Sequence, residues 1–130
     1  MGIENSRRFR ALPLYMSLLT YGSKGYQDMF DSNCRFAQQL GHWVDQHTDL
    51  ELLEPVHLHT VLFRVSAERW MKPGGNDEFI DAIKETQQMY VSKTVWNGQP
   101  AIRAAVSNWR TDIDRDLPIV TKALDTALGR

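Results

Sequence analysis

Apolar and polar positions alternate along this chain in more than one rhythm, and each rhythm predicts a different element. Over residues 11–21, Leu12, Tyr15, Met16 and Leu19 fall at i, i+3, i+4 and i+7, the spacing of one helix face. Leu14 and Leu18 cover the opposite side, so this helix is apolar on both faces and calls for burial on both. Pro13 suits its first turn, where the missing N–H is not needed. Gly22 and Gly25 predict a break before a longer helix over residues 26–47. Tyr26, Met29, Phe30, Asn33, Ala37, Leu40 and Val44 form the inner stripe of that helix, with Phe36 and Trp43 alongside.

Further along, the rhythm shortens. Residues 50–53 and 59–65 read as two short strands split by Glu54-Pro55, the second carrying Val61, Leu62, Phe63 and Val65. Residues 72–76, with Pro73, Gly74 and Gly75, form a loop. A third helix is expected over residues 77–90, with Phe79, Ile80, Ile83 and Gln87 inward. Strands over residues 91–96 and 100–107 flank Asn97-Gly98, the favoured pair for a tight hairpin with positive φ. Gln99-Pro100 offers a way to widen that turn. Ile113, Leu117, Val120, Leu124 and Leu128 mark a last amphipathic helix. Thr111 is its expected cap, and Pro118 either delays its start or kinks it near Asp114. The elements fit an α+β fold: two N-terminal helices, then an antiparallel sheet of about four strands with helices on one face.

Composition narrows the function classes. The chain has 130 residues, a single-domain length, so residues 1–130 are read as one domain. A net charge of −1 with interspersed signs gives no electrostatic case for nucleic acid or an anionic membrane. No segment reaches the ~20 apolar residues of a membrane span. The single cysteine, Cys34, has no intrachain disulfide partner, which makes a reducing, cytoplasmic setting the expectation. Ser6-Arg7-Arg8-Phe9 before an apolar run suggests a twin-arginine export signal. Pro13 interrupts the run and no small-residue cleavage site follows, which argues against export.

Candidate chemistry is sparse. On one strand face, His57 and His59 would lie about 7 Å apart with Glu54 nearby. Two histidines without a third fixed ligand make a weak metal motif, and no metal is expected. Cys34 sits mid-helix without a histidine at helical spacing and reads as an inert, partly buried thiol. Gly74-Gly75 lacks the lysine pattern of a phosphate loop. The scattered Trp43, Trp70, Trp96 and Trp109 suit packing.

Three blocks in order carry a stronger signal. They are Ser6-Arg7-Arg8-Phe9-Arg10-Ala11-Leu12-Pro13 running on to Tyr21-Gly22; Leu50-Glu51-Leu52-Leu53-Glu54-Pro55 with Val61-Leu62-Phe63-Arg64; and Ile102-Arg103-Ala104-Ala105-Val106-Ser107-Asn108-Trp109-Arg110-Thr111. Over essentially its whole length the chain resembles the C-terminal small domain of the group II amino-acid decarboxylases, fold-type I enzymes that use pyridoxal phosphate (PLP). The resemblance implies that Arg103 binds a carboxylate of the substrate or product, and that Ser6 lines the substrate pocket. It implies that Arg7 and Arg8 meet a large PLP-binding domain that this chain does not contain.

The family's cofactor lysine follows a histidine, and no His-Lys pair occurs here. Lys24, Lys72, Lys84, Lys93 and Lys122 all fall on expected surface or loop positions. The chain therefore reads as a fragment or separately encoded small domain of a PLP-dependent decarboxylase, not competent alone, with no cofactor of its own. The alternative is a stand-alone binding module that keeps the fold. Its apolar first helix needs cover, from a large domain or from a second copy in a homodimer.

Overall fold

The computed structural model describes residues 11–130. Three helices and four strands follow in the order α1 (Leu12–Gln46), β1 (Leu50–Leu52), β2 (Thr60–Val65), α2 (Gly75–Glu85), β3 (Ser92–Trp96), β4 (Gln99–Ala105) and α3 (Ile113–Leu128). A short 3-10 turn, Glu68–Trp70, precedes α2. All strand pairs are antiparallel, in the spatial order β1-β2-β4-β3. The expected α+β architecture is the one observed.

Strand alternation decides which side of the sheet is core. In β2, Val61, Phe63 and Val65 are buried while Leu62 and Arg64 are only partly covered. Opposite them in β4, Ile102 and Ala104 are buried and Arg103 is exposed. The buried set packs against Phe36, Leu40 and Val44 of α1, Phe79 and Ile83 of α2, and Leu124 and Leu128 of α3. One face of the sheet therefore carries the helices. The other presents Glu51, Arg64, Leu62 and Arg103.

The two N-terminal helices are one helical run bent at a single residue. Gly22 has φ 63° and ψ −175°, a backbone region open essentially to glycine alone. Gly25 does not break the helix. A Cβ there would lie 2.7 Å from the Tyr21 Cβ, so its bare backbone lets the two limbs approach closely behind the bend. The limb before Gly22 finds no cover among the described residues. Leu12, Leu14, Tyr15, Met16, Leu18 and Leu19 are each 43–64% exposed, and Phe30 of the expected inner stripe is exposed too. On α1 the buried positions begin only at Asn33 and continue through Phe36, Ala37, Leu40, Gly41 and Val44.

Several boundaries differ from the sequence reading for local reasons. The hairpin turn holds just Asn97 and Gly98, both at positive φ, with Trp96 paired directly to Gln99. Gln99-Pro100 does not widen it. Helix α2 starts at Gly75 and stops at Glu85, because Gln87 takes a positive φ and faces solvent instead of the core. The cap of α3 is Asp112, whose carboxylate accepts the Arg115 N–H at 2.9 Å. Thr111 instead donates its hydroxyl to the Asn108 carbonyl at 2.7 Å. The helix runs through Pro118 from Ile113, so no late start occurs.

Pro100 poses a problem that Asn76 solves. The β2–β4 ladder ends at the Phe63–Ile102 pair, leaving Val65 and Pro100 without strand partners across that gap. Val65 donates its N–H to Asn76 Oδ1 at 3.2 Å, and Asn76 Nδ2 donates to the Pro100 carbonyl at 3.1 Å. One amide from the first turn of α2 thus completes the sheet where proline cannot donate.

Candidate functional site

The helix-free sheet face holds two arginines in contrasting states. On β2, Arg64 donates from Nε to Glu51 Oε2 at 2.7 Å and from Nη2 to Oε1 at 3.0 Å. Glu51 is its register partner on β1, so cross-strand pairing makes this side-on bidentate bridge. Arg103, on the central strand β4, pairs with no carboxylate among the described residues. Its neighbours across the strands are Leu62 and Ser92, with Ala105 two residues along on the same face. A guanidinium whose cross-strand neighbours are uncharged is an uncompensated positive charge, open to an anionic group.

Ser92 shapes that guanidinium. Arg103 Nε donates to Ser92 Oγ at 3.2 Å, and the serine hydroxyl faces the Arg103 carbonyl oxygen at 3.5 Å. The sequence reading missed Ser92, although a countable signal was there. A two-residue turn at Asn97-Gly98 pairs Trp96 with Gln99, and stepping back along both strands pairs Ser92 with Arg103.

Other sequence candidates are not drawn to this face. Ser6, like Arg7 and Arg8, lies outside the described residues. His57 and His59 precede β2 instead of sharing its face, and His57 lies 3.8 Å from Glu54. Among the described residues no three metal-ligating side chains cluster. Cys34 is half-buried on α1. No helix of the described residues is long and apolar enough to cross a membrane.

All five lysines are exposed. Four face carboxylates: Lys24 with Asp28, Lys72 with Glu78, Lys84 with Asp81 and Lys93 with Asp77. The hydrogen bond that Lys84 donates to the Asp81 carboxylate raises the Lys84 pKa above its ordinary value. None of these amines sits in a shielded pocket of the kind a Schiff-base lysine needs.

A second concavity lies at the bend of α1. Ser17, Tyr21, Tyr26, Asp28, Met29 and Trp109 line a mostly apolar groove of about 380 Å³. Trp109 carries the Arg110 guanidinium over its ring at 4.5 Å. The groove joins the loop after β4 to the uncovered limb of α1.

Comparison with known proteins matches residues 1–66 to the pyridoxal-dependent decarboxylase conserved domain. The chain is similar to phenylacetaldehyde synthase of Arabidopsis thaliana, at 29% identity over 80% of this chain and 22% of that protein. It is likewise similar to tyrosine decarboxylase 2 of Narcissus pseudonarcissus, at 31% identity over 80% of this chain and 21% of the relative. In fold it resembles the crystal structure of Catharanthus roseus tryptophan decarboxylase in complex with L-tryptophan. That likeness has a TM-score of 0.77 at 22% identity, over 95% of this chain and 27% of the other. The chain thus spans about a fifth to a quarter of the length of the relatives it matches.

Proposed function

Because the chain belongs to the pyridoxal-dependent decarboxylase family, we propose that it serves as the C-terminal small domain of an amino-acid decarboxylase, a carboxy-lyase, and works only beside a large PLP-binding domain. The observation that carries this reading is Arg103, exposed on the helix-free sheet face with no carboxylate partner among the described residues. In this reading Arg103 binds the substrate or product carboxylate, and the family resemblance gives Ser6 a part in the substrate pocket. The order of the three sequence blocks supports the C-terminal placement.

The residues present do not fit a PLP site of their own. A Schiff-base lysine must reach the aldehyde as a neutral amine in a shielded pocket. Here every lysine is exposed and four face carboxylates. The cofactor of the family therefore belongs to the large domain, and no step through it is assigned to this chain. The uncovered α1 limb and the bare sheet face are the surfaces that such a domain would meet.

Two measurements test the reading. Titration of the chain with PLP, followed by desalting, is expected to leave no stoichiometric visible absorbance. One retained equivalent that disappears on replacing a single lysine would overturn the claim of incompetence alone. Adding the chain to a PLP-loaded large domain cut from a tyrosine decarboxylase is expected to restore release of carbon dioxide. Restoration that survives Arg103→Gln would remove Arg103 from the proposed role.

A further inference from the structure

The way Arg103 is held restricts how it can take a ligand. A guanidinium binds a carboxylate either side-on, through Nε and one terminal nitrogen, or end-on, through both terminal nitrogens. Arg64 uses the side-on mode toward Glu51. In Arg103 the Nε–H is already committed to Ser92 Oγ at 3.2 Å. The same hydroxyl faces the backbone carbonyl of Arg103 at 3.5 Å, so the serine braces both ends of one residue. What is left for a ligand is the terminal pair of nitrogens.

We propose that Ser92 is a positioning residue that fixes Arg103 for end-on capture of a carboxylate. The inference rests on the reading of Arg103 given above and adds to it a residue and a binding mode. Register supplies the brace: Ser92 lies directly opposite Arg103 on edge strand β3, and the tight Asn97-Gly98 turn sets that pairing. Size matters as well. Serine reaches Nε without covering the terminal nitrogens, and Ala105 beyond leaves room on the face. A carboxylate at position 92 would occupy the guanidinium, as Glu51 occupies Arg64.

The test uses the full chain, labelled with nitrogen-15, and reads the Arg103 Nε–H resonance. In the wild type this resonance is expected to be sharp and slow to exchange. In Ser92→Ala it is expected to broaden, with the backbone spectrum unchanged, and Ser92→Thr is expected to restore it. L-phenylalanine is the carboxylate probe, with L-phenylalaninamide as the control that lacks the charge. Phenylalanine is expected to shift the Arg103 signals, the amide to leave them in place, and Ser92→Ala to weaken the response about fivefold. An Nε–H resonance and affinity both indifferent to Ser92→Ala would overturn the positioning role. A wild type that ignores phenylalanine while its Nε–H still depends on Ser92 would instead overturn carboxylate capture by Arg103. The two failures are therefore distinguishable.

Discussion

Asp112 and Asp116 close a reciprocal cap on α3. Asp112 accepts the Arg115 N–H, and Asp116 accepts the Asp112 N–H at 3.0 Å. Removing the cap with Asp112→Ala is expected to cost about 1 kcal/mol, a drop of roughly 3–5 °C in Tm by thermal unfolding. The Arg115 guanidinium beside Asp116, aided by that backbone N–H, holds its carboxyl below the ordinary carboxylate pKa. A group whose folded pKa is depressed contributes stability that is complete above its unfolded pKa and is lost as pH falls through the folded value. Asp116→Asn is therefore expected to flatten the loss of stability below about pH 4, read by denaturant unfolding across an acid series. An acid profile identical to wild type would contradict this. Adjacent Thr111 and Asp112 are both good caps, and the choice turns on Thr111 folding back onto Asn108, a loop contact invisible in residue order. Arg103 came from the family resemblance alone, while its pairing with Ser92, missed in the sequence, could have been counted back from the Asn97-Gly98 turn.

At the scale of elements, Asn76 ties the start of α2 to two strands. Asn76→Ala removes both bonds and is expected to cost about 1–2 kcal/mol. Faster amide exchange at Val65 than in the rest of β2 is the accompanying signature. Exchange that rises evenly over the sheet would mean that the bridge acts only through global stability. A second expectation concerns the tight corner before α2. A Cβ on Gly75 would sit 1.8 Å from the Trp70 carbonyl oxygen, so Gly75→Ala must displace the 3-10 turn, at a cost of about 2 kcal/mol or more. The four strands were readable because strand alternation and the Asn-Gly turn are local signals, whereas their order in the sheet was not, since β2 pairs with β4 across the intervening α2 and β3. The end of α2 was not, since Met89 and Tyr90 continue an apolar pattern past the left-handed Gln87. Nor did two glycines in α1 show beforehand which would bend the chain. Gly22 differs from Gly25 in backbone conformation, and the need for it comes from how the two limbs meet.

For the whole molecule, the uncovered limb of α1 is where association is expected. Residues 11–22 carry no charged side chain, so a second copy would meet no like-charge repulsion there. In the absence of a large domain, a two-fold pairing of these limbs is the expected state. Burying ~800 Å² of apolar surface would contribute a gross gain of roughly 20 kcal/mol before the entropic cost of association. Sedimentation over a micromolar dilution series should show a dimer that Leu18→Glu dissociates. A folded wild-type monomer, or a dimer indifferent to that change, would defeat the idea. The bend at Gly22 has one more consequence. Among the described residues, no side chain of the core cluster comes from before Phe36. The limb can therefore be cut away without opening the interior. Brief digestion of the Leu18→Glu monomer with chymotrypsin, which cleaves after Tyr21 and Leu19, both exposed in the single chain, is expected to leave a resistant piece beginning near the bend. The bend thus sets off a limb that lends no side chain to the core from the stretch of α1 that leads into it.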